Sequence, residues 1–188
     1  FSIRLKNLLV DIAELHELDV HIVEHRAKSI DSFNNKISSP GKNYHDPLNE
    51  ITDLCGLRVI FYYQDDVNKF CSAIYEEFDI DKENSVNKFD ELNSDQFGYM
   101  STHIVCKLSN KRAELFEWNK FTNIKFEIQV RTVLQHAWAS ISHAIEYKSK
   151  VDTPKPLARQ LNRIAGLLEL SDEQFLDLRT KSEDLKVE

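Results

Sequence analysis

One short stretch of the sequence combines cations with positions suited to binding phosphate oxygens. Arg26 and Lys28 are separated by one residue, which places both on one face of an extended segment. Ser29 then begins a predicted helix whose next turn carries Ser32 and Lys36. Cations beside a helix N-terminus favour a polyphosphate ligand, because each of them supplies positive potential or N–H donors.

A second set of polar residues lies within the predicted strand 124–131, in which apolar and polar residues alternate throughout. Because side chains on a strand alternate between its faces, one face carries a continuous polar row. That row consists of Lys125, Glu127, Gln129 and Arg131. The same pattern is typical of an ordinary solvated face, and this interpretation stays open.

The strand predicted from Tyr99 has a comparable row, in which Tyr99, Ser101 and His103 share one face. An aromatic ring, a hydroxyl and an imidazole could stack on a base and bind phosphate oxygens. Ordinary cross-strand surface pairs would use the same residue types. The row therefore indicates a ligand-binding face without deciding between the two interpretations.

Two carboxylates are placed to bind a metal ion. Asp53 precedes the strongest strand signal in the chain, with Gly56 and Arg58 following it, and Glu127 lies in the polar row of strand 124–131. Carboxylates from two strands commonly hold Mg²⁺ on a triphosphate. Together with the cations, Asp53 and Glu127 predict a nucleotide-polyphosphate site on one face of a sheet.

The elements that must position these residues alternate between strand and helix along the chain. The patterns predict strands near 20–28, 57–63, 99–108 and 124–131 and helices near 2–15 (capped by Ser2), 29–37, 65–78, 132–150 and 157–178. The charged stretch 79–96 predicts an exposed connection. We expect an α/β (α+β) fold with a mixed sheet of about five strands flanked by helices. We also expect one domain over 1–188, with a core at about 20–150 and helical extensions at 1–19 and 155–185.

Composition excludes several other classes of protein. The 188 residues carry a net charge of −7, which argues against a binder of duplex DNA or anionic membranes. The four glycines are too far apart for either glycine-rich phosphate loop, and the three cysteines form no C-x-x-C zinc or redox motif. No apolar run approaches the roughly 20 residues of a membrane span. We therefore expect reduced thiols in a cytoplasmic protein without a membrane partner.

Five linked motifs resemble the synthetase domain of RelA/SpoT proteins, and their order and spacing make the resemblance specific. They are Arg26-x-Lys28 with Ser32 and Lys36, Asp53-Leu-Cys-Gly56-Leu-Arg58, Gly98-Tyr99-x-Ser101-x-His103, Glu127-Ile-Gln129-Val-Arg131-Thr132, and Gln135-His136-Ala137-Trp138-Ala139-Ser140. The resemblance covers the region from Val20 to Lys150 and implies a nucleotidyltransferase-like fold.

The resemblance also implies an activity and a role for each matching residue. Proteins of this kind transfer the β,γ-diphosphate of ATP to the 3′-hydroxyl of GDP or GTP, which gives (p)ppGpp alarmones and AMP. The implied ATP-binding residues are Arg26, Lys28, Ser32, Lys36 and Arg58. The implied catalytic residues and Mg²⁺ ligands are Asp53 and Glu127. The implied acceptor-binding residues are Tyr99, Ser101, His103, Gln129, Arg131 and His136.

One departure from the family pattern leaves the acceptor open. Many members have Lys-Pro-Asn-Gly-Tyr before the stacking tyrosine, whereas this chain has Asp95-Gln96-Phe97-Gly98-Tyr99, without a cation. The alternatives are a toxin-like relative, with an antitoxin partner, that modifies the 3′-CCA end of tRNA, or an enzyme acting on an adenine nucleotide. A catalytically silent nucleotide-binding module is a further alternative.

A tRNA substrate would need a continuous basic surface. The remaining cations could form such a surface, or they could be scattered surface charges. The residues concerned are Lys107, Lys111, Arg112, Lys148, Lys150, Arg159 and Arg163. The terminal helices are candidates for contacts in a homo-oligomer.

Overall fold

A computed structural model describes residues 1–39, 41, 43–87, 101–148 and 154–187. Within these residues one sheet contains six strands, in the order β1-β2-β6-β5-β3, with β4 paired to β5. The strands are β1 (Val20–Ala27), β2 (Cys55–Phe61), β3 (Phe78–Ile80), β4 (Val86–Asn87), β5 (Thr102–Leu108) and β6 (Phe126–Thr132). The pair β2–β6 is parallel and the others are antiparallel, so the prediction of a mixed sheet is confirmed.

Helices precede, follow and connect the strands. They are α1 (Ser2–Leu15), α2 (Ile30–Ile37), α3 (Pro47–Glu50), α4 (Gln64–Glu77), α5 (Asn110–Ala113), α6 (Val133–Lys148) and α7 (Lys155–Val187), with a 3₁₀ turn at Asn119–Phe121. No helix in the described part of the chain is long and apolar enough to cross a membrane.

The sheet buries one face against α1 and α4. Val59 of β2 and Ile128 of β6 both have 0% of their surface exposed. Leu5 and Leu9 of α1 and Phe70 of α4 belong to the same core. Because side chains alternate along a strand, burial of this face directs the polar residues of β1, β2 and β6 to the opposite face.

Two expectations from the sequence are wrong. Part of the predicted connection 79–96 forms β3 and β4, because both are short strands held by backbone pairing with β5 and need no apolar run of their own. Ser2 does not cap α1. The N-cap is Phe1, without a side-chain hydrogen bond, while Ser2 Oγ lies 3.1 Å from His25 Nδ1.

The predicted helix that starts at Ser29 is confirmed as α2, and Ser29 is its N-cap. Ser29 precedes the helix in an extended conformation, and its hydroxyl accepts a hydrogen bond from the backbone N–H of Ser32 at 3.2 Å. This cap begins α2 immediately after β1 and Lys28. The helix therefore starts beside the strand that carries the first two predicted cations.

Candidate active site

The register of the sheet brings residues from four of the sequence motifs into two adjacent rows. The first row crosses β1, β2, β6 and β5 and consists of Glu24, Arg58, Gln129 and His103. The second row crosses β1, β2 and β6 and consists of Arg26, Gly56 and Glu127. The predicted polar row of β6 therefore forms the centre of a polar surface built from several strands.

Gly56 leaves a gap in the second row. A Cβ atom at this position would have its nearest neighbour, the backbone oxygen of Arg26, 4.0 Å away, so the missing side chain leaves open space. A cavity of about 480 Å³ opens here, and its lining includes Arg26, Lys28, Asp53 and Glu127. Both predicted metal-binding carboxylates thus face one cavity.

Asp53 is held by two lysines. Lys28 Nζ donates to Asp53 Oδ2 and Lys36 Nζ donates to Asp53 Oδ1, both at 2.6 Å. The backbone supports this arrangement, because the N–H of Lys28 bonds to the carbonyl of Leu54 at 2.9 Å. Burial raises the pKa of Asp53, but the hydrogen bonds and charges of the two lysines outweigh it, and the pKa lies below its ordinary value.

Glu127 is fixed through both carboxylate oxygens. His103 Nδ1 lies 2.8 Å from Oε1, and Gln129 Nε2 donates to Oε2 at 3.3 Å. Arg131 in turn donates to Gln129 Oε1, so the network continues along β6. Burial raises the pKa of Glu127, but His103 and Gln129 outweigh burial and the repulsion from Asp53, and the pKa is lowered. Glu127 is therefore ionised at neutral pH.

A second cavity of about 590 Å³ adjoins the first and shares Arg26, Arg58 and Gln129 with it. The first turn of α6 brings His136 to this cavity. Desolvation lowers the pKa of His136, and the charges of Arg58 and Arg131 lower it further. His136 is consequently a neutral imidazole at neutral pH, able to donate one hydrogen bond and accept another.

The donor set of the first cavity fits a hard divalent cation. Asp53 and Glu127 supply oxygen ligands, and their mutual repulsion shows that the two carboxylates lie close enough to interact. Among the described residues no three His, Cys, Asp or Glu side chains form a ready-made metal cluster. The two carboxylates therefore suit a metal ion that takes its other ligands from substrate phosphates and water.

Some predicted residues lie away from these cavities or outside the described chain. Ser32 lies at the start of α2, where its hydroxyl accepts from Ser29 Oγ at 2.8 Å. Ser101 precedes β5, is 4% exposed and lines a different cavity. Tyr99, together with Gly98, lies outside the described residues, so its stacking role stays a prediction.

Glu24 is a residue of the candidate site that the sequence motifs do not identify. Arg58 Nη1 donates to Glu24 Oε2 at 2.7 Å, and both side chains line the first cavity. The pairing depends on the register of β1 against β2. The only signal in the sequence is that Glu24 shares the strand face of Arg26, two residues away.

Two of the cations considered for a tRNA path are paired with carboxylates. Lys107 pairs with Asp79 at 3.1 Å, and Arg112 pairs with Glu77 at the outer edge of the sheet. Of the other members, the side chain of Lys148 and all of Lys150 lie outside the described parts. The interpretation of scattered surface charges fits Lys107 and Arg112 better.

A family model, described as a region found in RelA / SpoT proteins, matches residues 25–152 of the chain. The chain belongs to the RelA/SpoT family. It is 28% identical over 164 residues to GTP pyrophosphokinase YwaC of Bacillus subtilis, covering 84% of this chain and 74% of that relative.

Solved structures of similar proteins share the fold. A GTP pyrophosphokinase family protein from Streptococcus pneumoniae superposes with a TM-score of 0.75 at 24% identity, covering 97% of this chain and 89% of that one. Small alarmone synthetase 1 from Bacillus subtilis, bound to its product pppGpp, gives a TM-score of 0.75 at 22% identity, covering 96% and 91%. The predicted fold class is confirmed by these likenesses.

Proposed function

We propose that this chain is an ATP-dependent pyrophosphokinase that transfers the β,γ-diphosphate of ATP to the 3′-hydroxyl of GDP or GTP. The observation that carries the proposal is the single cavity in which Asp53 and Glu127 lie together among Arg26, Lys28 and Arg58. The relative YwaC is named a GTP pyrophosphokinase, and the related small alarmone synthetase 1 was solved with pppGpp, which supports a guanine nucleotide as acceptor.

The donor triphosphate would bind at the cationic end of the first cavity. Lys28 and Lys36 each hold one oxygen of Asp53, and a triphosphate offers the same ammonium groups stronger, more highly charged partners. Binding of ATP would draw the lysines toward the phosphates and release Asp53. Arg26 and Arg58, which line both cavities, would lie against the rest of the nucleotide.

Glu127 would act as the general base. Its ionised carboxylate would take the proton of the acceptor 3′-hydroxyl while that oxygen bonds to the β-phosphorus of ATP. The bond from the β-phosphorus to the bridging oxygen of the α-phosphate would break, and AMP would leave with that oxygen. His103 and Gln129 would keep the carboxylate in position throughout.

The remaining acceptor contacts follow from the second cavity. Gln129, Arg131 and His136 line it, and Tyr99 would stack on the base, which is worth about 1–3 kcal/mol. Mg²⁺ held by Asp53 and Glu127 would neutralise charge on the transferred diphosphate. We further propose that residues 1–188 act as one domain in the cytoplasm, where ATP and guanine nucleotides are available.

The test follows γ-labelled ATP by thin-layer chromatography with GDP, GTP, ATP or bulk tRNA as acceptor. We expect label on GDP and GTP with equimolar AMP. Label on tRNA or on adenine nucleotide alone would instead favour the corresponding alternative acceptor. Tight nucleotide binding without transfer to any acceptor would favour the silent binding module.

Isosteric variants make the test specific to the two carboxylates. Asp53→Asn and Glu127→Gln should each lower the transfer rate by at least about 10²-fold, because each removes charge without changing shape. Asp11→Asn on the exposed face of α1 is the matched control and should leave the rate unchanged. Full activity of both site variants would contradict the proposed chemistry.

A further inference from the structure

A third cavity, of about 260 Å³, lies on the helix-covered side of the sheet. The end of β6 separates it from the candidate active site, because Val130 faces this cavity while Gln129 and Arg131 face the other side. Among the described residues it shares no lining side chain with the two cavities of the active site. It is therefore a separate space between α4, the sheet and α7.

Two buried polar groups of this cavity are incompletely bonded. Asp172, which is 6% exposed, accepts a hydrogen bond from Thr132 Oγ1 at 2.7 Å through one oxygen. Its other oxygen, and the hydroxyl of the buried Ser101, have no hydrogen-bond partner among the described residues. A buried polar atom without a partner costs about 1–3 kcal/mol, so both groups indicate a ligand or ordered water.

The charge of the cavity is negative. Glu169 lies one turn of α7 before Asp172 and Glu173, and all three line the cavity, with Asp172 buried and Glu173 exposed. No Lys or Arg side chain is present in the lining that the structure describes. The neighbouring cation Arg179 is already engaged with Asp65 and Asp66 of α4.

The rest of the lining is apolar or uncharged. Val67, Val130 and Leu176 provide an aliphatic wall, and Gln64 and Asn68 of α4 provide amide groups. A space of this size holds a molecule of roughly nine non-hydrogen atoms, because a water takes about 30 Å³ in the liquid.

We propose that this cavity is a binding site for a small alkylammonium ion, separate from the nucleotide site. The ammonium group would bind the free oxygen of Asp172 and the hydroxyl of Ser101. The aliphatic chain would pack against Val67, Val130 and Leu176. Glu169 and Glu173 would attract the cation at the opening.

The test uses methyl NMR spectra of the full chain in phosphate buffer, with n-butylammonium as the probe and n-butanol as the uncharged control. We expect saturable shifts of the Val67, Val130 and Leu176 methyl signals with the amine and not with the alcohol. Absence of these shifts, or equal shifts with both compounds, would overturn the proposal.

Asp172→Asn keeps the shape of the side chain and an acceptor for Thr132, and it should weaken amine binding by at least about tenfold. Asp177→Asn, on an exposed turn of the same helix, is the control and should bind as the wild type does. Glu169→Gln is a milder second variant, for which we expect a loss of about two- to fivefold. Unchanged affinity in Asp172→Asn and Glu169→Gln would contradict the site.

The affinity should also depend on pH. Burial raises the pKa of Asp172 to about 6, partly offset by the bond from Thr132, so the carboxylate ionises as pH rises from 5 to 7.5. The other titratable groups facing the cavity are Glu169 and Glu173, while the described lining from α4, α6, β5 and β6 is uncharged. Binding should strengthen over this range in the wild type and stay flat in Asp172→Asn; a flat wild-type profile would contradict the role of Asp172.

Discussion

At the scale of single residues, the two carboxylates of the site are kept ionised by different means. Hydrogen bonds and charges of the two lysines Lys28 and Lys36 lower the pKa of Asp53, whereas His103 and the uncharged Gln129 lower that of Glu127. The first arrangement can exchange partners, because lysines are flexible point charges. The second resists exchange, because its donors come from neighbouring strands of one sheet. The difference suits a pair of metal-binding carboxylates of which only Glu127 would also accept a proton.

Replacing His103 with Ala should move the acid side of the pH–rate profile. His103 lowers the pKa of Glu127 against burial, so its loss raises that pKa. A general base must be ionised, and the rate of the variant should therefore begin to fall at a higher pH than the rate of the wild type. The measurement is kcat/KM for diphosphate transfer from pH 3.5 to 8, because the wild-type acid limb lies below the ordinary glutamate pKa of 4.5.

His45→Ala is the control for this shift, because His45 lies in the loop before α3 and only its backbone N–H, which bonds to Glu50, makes a described contact. The control profile should match the wild type. A His103→Ala enzyme with lower activity but an unmoved acid limb would show that His103 does not set the ionisation of Glu127.

Replacing Lys36 with Gln should have opposite effects on two ligands. Affinity for a non-hydrolysable ATP analogue should fall by about tenfold, because one phosphate-binding cation is lost. Affinity for Mn²⁺ without nucleotide should rise by about three- to tenfold, because one ammonium no longer holds Asp53. Electron paramagnetic resonance of free Mn²⁺ measures the second effect directly.

Lys69→Gln is a matched control, since Lys69 pairs with Asp65 at 3.0 Å on α4, away from the nucleotide cavities. It should change neither affinity. If Lys36→Gln bound Mn²⁺ no better than Lys69→Gln, the lysines would not compete with a metal for Asp53.

At the scale of elements, the alternation of apolar and polar residues predicts β6 from the sequence. It does not predict the register between strands. A shift of two residues leaves the alternation of a strand intact, so nothing local pairs Glu24 with Arg58. Alternation from Tyr99 also predicts that Ser101 shares the face of His103. This is wrong, because β5 begins at Thr102 and Ser101 lines the cavity on the opposite side of the sheet. The motifs located the site, while its pairings depend on contacts distant in sequence.

Gly56 leaves space for substrate in the sheet, and a larger residue at this position should fill that space. Gly56→Val should keep the fold, because the nearest atom to a new Cβ is 4.0 Å away and a β-branched residue suits a strand. The side chain would occupy the floor of the cavity between Arg26 and Glu127. We expect an unchanged or higher melting temperature and a loss of transfer activity of at least about tenfold.

Gly56→Ala tests the same explanation in a graded way, since its smaller side chain should reduce activity less than Val does. Circular dichroism confirms folding and equilibrium binding of the ATP analogue reports the blocked space. Full binding by Gly56→Val would show that substrate does not approach this part of β2.

At the scale of the whole molecule, α7 connects distant parts of the chain. Arg179 binds Asp65 and Asp66 at the start of α4 and lies 4.4 Å from the ring of Tyr63. Asp172 accepts a hydrogen bond from Thr132 at the end of β6, directly after Arg131 of the candidate active site. The sequence predicted the helix from its apolar spacing. It could not predict these contacts, because each joins residues at least 40 positions apart.

Asp172 also makes the stability of the whole molecule depend on pH. Its pKa in the folded chain, about 6, lies above the ordinary value of 3.8, so the folded state binds this proton more tightly than the unfolded state does. The resulting stabilisation is complete below pH 3.8 and is lost as pH rises through 6. At neutral pH the buried, ionised carboxylate therefore destabilises the fold.

Asp172→Asn should accordingly raise the free energy of unfolding at pH 7.5 by about 1–3 kcal/mol, with a smaller gain at pH 4.5. Urea denaturation at both pH values measures it. The control is Asp177→Asn, which loses only an exposed pair with Lys181 and should change the free energy of unfolding by no more than about 0.5 kcal/mol. A variant less stable than the wild type at pH 7.5 would show that the ionised carboxylate is already stabilised in the folded chain. Selection tends to remove a buried charge that weakens the fold unless the charge has a function. If Asp172 is retained to bind a ligand, Asp172→Asn should therefore gain stability and lose amine binding.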